Sequence, residues 1–211
     1  ACKNRSKRLD SLMPGLDTTH PAISDLRRAA KRRLPHFVFE YLDSATGDHE
    51  AGVKVNRQGY DALQFLPSVL HGHSQPDLRT TLLGFEFARP FGMAPVGMSG
   101  LIWPDAERLL AAEAYRLRIP YCLSTVATQV PERVGPVAGD MGWFQLYPPA
   151  KREVARDMLK RAKNSGFKAA IMTVDVPADS RRERQRRANL TIPPKITPAM
   201  VWSMLTHPRW S

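Results

Sequence analysis

Four short clusters carry the residue types from which a binding site for a flat, polar ring could be built: Ala94-Pro95-Val96-Gly97, Ser124-Thr125, Gln145-Leu146-Tyr147 and Thr173-Val174-Asp175. Each closes a short apolar run, so each falls where a strand ends. In parallel α/β barrels, functional residues collect at the C-terminal ends of the strands. The first cluster, Pro95, Val96 and Gly97, offers small residues for close approach to the backbone. Ser124, Gln145 and Thr173 offer hydroxyls and an amide for the edge of a heteroaromatic ring, and Tyr147 and Asp175 add a phenol and a carboxylate. Taken singly, a strand-end Ser, Thr or Gln ordinarily just satisfies nearby backbone. Four clusters in register weigh more.

The elements that must position them alternate in type. Phe91 to Pro95 reads as a short strand, and Pro104 opens a helix with Ala106, Leu109, Leu110 and Leu117 along one side. Tyr121 to Ser124 is a second strand, Val130 to Val134 a brief helix and Trp143 to Tyr147 a third strand. A helix from Lys151 follows, with Val154, Met158 and Ala162 on one stripe and Gly166 placed as its C′ cap, then a fourth strand, Ala169 to Val174. Strands alternating with helices imply right-handed βαβ units and a parallel sheet.

The flanks differ. Residues 1–20 read as a basic tail. Residues 21–90 hold two helices, one N-capped by Ser24 or Asp25 and one opened by Pro35 with Phe37, Val38, Tyr41 and Leu42 near helical spacing, then short strands or a hairpin at Phe65 to Leu70 and Leu82 to Phe87. Residues 91–175 carry the regular alternation, and 176–211 form a long basic loop with one short helix at Ala199 to Thr206.

Composition narrows the class. With 43% hydrophobic and 24% charged residues the 211-residue chain reads as a soluble globular protein, and no run reaches transmembrane length. Residues 1–10 lack a secretory h-region, and the absence of an initiator Met points to a trimmed tail or a fragment. Cys2 and Cys122 make no disulfide framework, and Cys122 reads as a small buried hydrophobe in a cytoplasmic protein. The net charge of +11 concentrates in Lys3 to Arg8, Arg27 to Arg33 and Arg181 to Arg187. That favours anionic partners, but no aromatic residues interleave, which argues against nucleic acid. His71 and His73 lack the Cys or carboxylate neighbours of a metal site, so no metal is expected.

The sequence resembles the FMN-dependent 2-hydroxy-acid oxidases and dehydrogenases, the family of glycolate oxidase, L-lactate dehydrogenase and mandelate dehydrogenase. The resemblance covers about residues 24–211 and rests on Leu34-Pro35 through Glu40-Tyr41, Met93-Ala94-Pro95, Leu123-Ser124-Thr125, Phe144-Gln145-Leu146-Tyr147, Thr173-Val174-Asp175 and Arg181-Arg182-Glu183, in family order. Gly100 to Pro104 and His207 to Ser211 look most like the mandelate and bacterial lactate dehydrogenases.

The resemblance implies a TIM (β/α)8 barrel, of which this chain holds the first four βα units after an N-terminal helical segment. It implies FMN as cofactor, with the backbone of Pro95, Val96 and Gly97 against the flavin and Ser124, Gln145 and Thr173 on its polar edge. Tyr41 and Tyr147 would contact the substrate, Arg182 would pair with its carboxylate, and Asp175 would orient a catalytic histidine. The implied reaction is oxidation of an L-2-hydroxy acid, with oxygen, a quinone or a cytochrome as electron acceptor. Val96 stands where many members have Thr, and Val126 where glycolate oxidase has Trp, which leaves room for a bulkier acid such as mandelate.

The family's base histidine, second arginine and phosphate loops belong to the second half of the barrel. None of His20, His36, His49, His71, His73 and His207 matches that base, so the chain alone is expected to be inactive. A second chain could supply the rest, and homo-oligomers are expected. Met200, Val201, Trp202, Met204 and Leu205 form a candidate membrane-surface helix, as in mandelate-type relatives, which implies peripheral attachment at an inner membrane. Two alternatives stand beside this reading: a non-catalytic half-barrel scaffold with a basic surface, and a flavin barrel acting on another substrate.

Overall fold

The computed structural model describes residues 15–47, 49–70, 72, 75–176, 181–188, 190, 196–208 and 210. Among these, the residues up to Gly47 join those from Arg182 onward in one compact unit, and His49 to Arg181 form a second.

The second unit is α/β. It opens with α4 (Ala51–Asp61), then a hairpin of β1 (Thr80–Leu82) and β2 (Phe85–Phe87). Leu83 and Gly84 turn the hairpin with positive φ at both positions, the pattern that matches strand twist. There follow α5 (Ser99–Ile102), α6 (Ala106–Leu117), β3 (Tyr121–Leu123), α7 (Pro131–Ala138), β4 (Gly142–Leu146), α8 (Arg152–Asn164) and β5 (Ala169–Met172). Strands β3, β4 and β5 pair in parallel in that order, and Met93 adds a parallel bridge to Tyr121 on the far side of β3.

All of β3 and β4 is buried, as the continuous apolar runs of a doubly covered parallel sheet require. One core gathers Ala111, Ala114, Tyr121, Leu123, Val134, Phe144, Leu146 and Phe167, with Phe144 and Phe167 edge to face at 6.1 Å. Helix α7 lies so close to the end of α8 that a Cβ on Gly135 would stand 2.1 Å from the Ser165 carbonyl oxygen. Gly166, at φ +95°, closes α8: its N–H donates to Lys163 O and that of Phe167 to Ala162 O, the paired bonds of a Schellman cap.

The first unit holds α1 (Leu16–Thr19), α2 (Ile23–Arg33), α3 (His36–Asp43), α9 (Glu183–Arg187) and α10 (Pro198–Leu205). Phe37, Val38 and Phe39 are buried, and Phe37 meets Trp210 edge to face at 5.8 Å. Lys31, Arg32 and Arg33 close α2, where cations suit the helix dipole, before Pro35 prevents its continuation.

Several sequence expectations are corrected. Phe91 to Pro95 pairs only at Met93. Phe65 to Leu70 forms no strand; Phe65, Leu66 and Leu70 are almost wholly exposed. The cap of α2 is Ala22, whose N–H is taken by Asp25 from the third helical position at 2.9 Å. Helix α7 extends four residues past Val134, and α10 starts one residue early, with Pro198 at its first position and Thr197 capping it through Met200 N. Helix α6 buries Ala106, Glu107, Ala111 and Ala114 and leaves Leu109 and Leu110 outward, because small side chains admit the close packing that leucines would prevent.

Candidate cofactor and substrate site

The register of the sheet sets Ser124, Gln145 and Thr173 beside one another. Leu123 pairs with Phe144, which carries Ser124 to the level of Gln145, and Leu146 pairs with Met172, one residue before Thr173. Gln145, although polar, is buried at 2% exposure, so its amide must be satisfied internally. Its Oε1 accepts from Ser124 Oγ at 3.2 Å and from Thr125 N at 3.1 Å, and its Nε2 donates to Thr173 Oγ1 at 2.9 Å. Ser124 Oγ in turn accepts from Val126 N. The result is one polar row across the C-terminal ends of three parallel strands.

Thr125 braces this row. Its hydroxyl donates to Gln145 O and accepts from Tyr147 N, fixing the backbone from which the Tyr147 ring departs. Tyr147 is 42% exposed, and Asp175 lies in the exposed bend just beyond β5.

The strap Pro95-Val96-Gly97 is tied to the same strand ends. Met98 N donates to Val126 O at 2.9 Å. Behind the strap sits Glu107, a residue that sequence reasoning missed. It is wholly buried, and its Oε1 accepts from Gly100 N at 3.1 Å, Thr128 N at 2.9 Å and Thr128 Oγ1 at 2.7 Å. Burial works to raise its pKa, but the bonds from Thr128 and Gly100 outweigh it and hold the carboxyl below the usual range. Only its place in the first turn of α6, within an otherwise apolar-facing stripe, could have marked it. Gly100 is required here, since a Cβ would lie 2.0 Å from Thr128 Oγ1.

Beneath the strap is an open apolar hollow of about 400 Å³, lined by Phe87, Met93, Pro95, Cys122, Trp143 and Ile171. Burial pushes the Cys122 thiol up to about 12, as befits a small hydrophobe.

Tyr41 and Arg182 belong to the other unit and are brought together there: Arg182 Nη1 lies 3.5 Å from Tyr41 O. The second and third basic clusters are partly spent on ion pairs, Arg28 with Asp25, Arg27 with Asp43, and Arg184 with Glu40 and Asp43. Among the described residues no group of His, Cys, Asp and Glu could hold a metal ion, and no helix is long and apolar enough to cross a membrane.

The parallel strands, with helices between them and a polar row at their ends, define an α/β protein. A profile of the FMN-dependent dehydrogenase family matches residues 30–211, and the chain belongs to that family, whose cofactor is FMN. It is 33% identical over 190 residues to (S)-mandelate dehydrogenase of Pseudomonas putida, covering 90% of this chain and 48% of that protein. It is 37% identical over 191 residues to L-lactate dehydrogenase of Xanthomonas campestris pv. campestris (strain 8004), covering 90% and 49%. The crystal structure of the monotopic membrane protein (S)-mandelate dehydrogenase superposes with a TM-score of 0.82 at 32% identity, over 89% of this chain and 50% of that one. The chain thus spans about half the length of the curated relatives it matches.

Proposed function

We propose that this chain is part of an FMN-dependent enzyme that oxidises an L-2-hydroxy acid, mandelate- or lactate-like, to the 2-oxo acid. The row of Ser124, Gln145 and Thr173 carries the reading. Its donor set fits a flavin: among the described residues the second amide hydrogen of Gln145 and the hydroxyl hydrogen of Thr173 have no acceptor, and the polar edge of the ring offers carbonyl oxygens and nitrogens to them. In this reading residues 91–175 supply the first four strand–helix units of a (β/α)8 barrel, after the helices and short strands of 21–90 and the tail 1–20, and 176–211 form the loop beyond the fourth strand. The hollow under the strap and the edge of β5, unpaired among the described residues, support it, because further strands would cover both.

The backbone of Pro95, Val96 and Gly97, together with the side chains of Ser124, Gln145 and Thr173, would hold the flavin ring. FMN, when bound, would supply the two-electron redox chemistry of the reaction. Arg182 grips the substrate carboxylate with its planar fork, and Tyr41 and Tyr147 contact the carboxylate and hydroxyl region. Asp175 orients a histidine base and stabilises it once protonated. Among the described residues none of His20, His36, His49 and His207 stands at a strand end of the parallel sheet, and in this reading the base belongs to the second half of the barrel, in a second chain or a further part of the protein. Val126, 51% exposed beside the row, leaves room for a bulky acid.

Trp202 and Leu205 on α10, each 70% exposed amid basic sequence, support contact of this cytoplasmic protein with a membrane surface. Oxygen, a quinone or a cytochrome would then reoxidise the flavin, and the assembled enzyme would form homo-oligomers.

The test is the visible spectrum after FMN is added and the unbound flavin removed, followed by mandelate or lactate. Flavin bands, with bleaching by the acid once the second half of the barrel is present, are the expected result. An assembled protein, with both halves of the barrel, that retains no flavin once unbound FMN is removed would sink the reading in favour of a non-catalytic scaffold.

A further inference from the structure

Arg182 can meet a substrate carboxylate only if its segment is held at a fixed distance from Tyr41, and its own tie is weak. The 3.5 Å contact to Tyr41 O is at the outer limit of a hydrogen bond. Helix α9, which Arg182 leads, has five residues and no side-chain cap, too short to hold its shape unaided. What fixes it lies two residues on. Arg184 Nε is 2.7 Å from Glu40 Oε2, and its Nη2 is 2.9 Å from Asp43 Oδ2. Glu40 and Asp43 flank Tyr41 on α3, one residue before it and two after, and their side chains are only 10% and 12% exposed. Asp43 is gripped again from α2, by Arg27 Nε at 2.5 Å and Nη2 at 2.8 Å.

We propose that Arg184 is a positioning residue for substrate recognition, clamping the first turn of α9 to α3 so that the Arg182 guanidinium and the Tyr41 phenol keep a set separation. The inference deepens the functional reading above and rests on it for the substrate. The guanidinium joins a hydrogen bond to Asp43 with a close ion contact to Glu40, and both carboxylates are nearly buried, which an exposed pair lacks. Its placement also explains why a surface so rich in arginine carries two acids on one face of α3. Displacing a binding group by 1 Å costs about a hundredfold where alignment matters, so the clamp acts on recognition although Arg184 need not touch the substrate.

The experiment uses the full-length, flavin-loaded enzyme, with Arg184→Gln and Arg184→Lys as variants. The steady-state constants for the 2-hydroxy acid are one readout. Hydrogen exchange at Arg186 and Ala188, whose amides donate to Arg182 O and Arg184 O, is the other. Arg184→Gln is expected to raise KM about tenfold or more with kcat changed less than about threefold, to keep its FMN, and to speed exchange at both amides. Arg184→Lys, which keeps the charge but loses the fork, should fall between, and it decides the question if the Gln variant does not fold. Wild-type KM and wild-type protection in both variants would overturn the proposal. A wild-type enzyme that turns over no 2-hydroxy acid removes the functional reading and the substrate role with it. The exchange readout still reports whether Arg184 holds α9, so the two failures are told apart.

Discussion

The Gln145 amide donates to the Thr173 hydroxyl across 2.9 Å, carrying one hydrogen-bonded row from the end of β4 to β5. A buried amide is tolerated in β4 because both its ends are engaged. Gln145→Leu leaves Ser124 Oγ and Thr125 N without this acceptor and is expected to cost about 2 kcal/mol or more. Urea denaturation of the two proteins measures it; an unchanged midpoint would show that the row carries no stability.

Glu107 does for the strap what Gln145 does for the strand ends. Its carboxyl is held below its ordinary range, so its contribution is present above the unfolded-state pKa and is lost as pH falls through the folded value. The stability gap between wild type and Glu107→Ala, measured in urea, should therefore be full at neutral pH and shrink on acidification. Gly100→Ala, which drives a Cβ against Thr128 Oγ1, should destabilise at neutral pH in the same assay.

Asp43 provides a second acid signature, in the other unit. The Arg27 bond lowers its pKa most, burial opposes it, and Arg184 lowers it further, for a folded value of about 2 against an ordinary 3.8. The stabilisation is complete above the ordinary value and disappears as pH falls through the folded one. Asp43→Asn should cost roughly 1–2 kcal/mol at neutral pH, discounted for the exposed Arg27, and its denaturation curve should converge with wild type below about pH 2.

Cys122 should resist alkylation in the folded protein, because its thiol is 4% exposed and pushed up to about 12. Peptide mapping after iodoacetamide treatment at mild alkaline pH should find it modified only in denaturant. Rapid native labelling would contradict the buried placement.

The contrast between helices α6 and α4 shows where the sequence was readable. Strands β3, β4 and β5 announced themselves as short apolar runs, and the polar residues ending them were legible because strand register turns sequence position into spatial position. Glu107 was not, since an acidic residue in a first turn ordinarily serves the helix dipole in water, and only tertiary packing buries this one. The buried face of α6 was misread because its leucines outrank its alanines in hydrophobicity, while the packing selects for size. Helix α4 left no mark at all: Gly52, Gly59, Val53 and Val55 are poor helix formers, and it buries no residue of its own. The Arg184 clamp was equally hidden, because its partners lie about 140 residues away in sequence.

Flavin fluorescence during FMN titration of the full-length wild-type enzyme, with both halves of the barrel, and of its Gln145→Ala variant tests the central claim most directly. The expected result is saturable quenching with wild type at about micromolar Kd or tighter, weakened about tenfold or more in the variant. Equal quenching by the two proteins, or none with either, would contradict the assignment of the strand-end row to FMN.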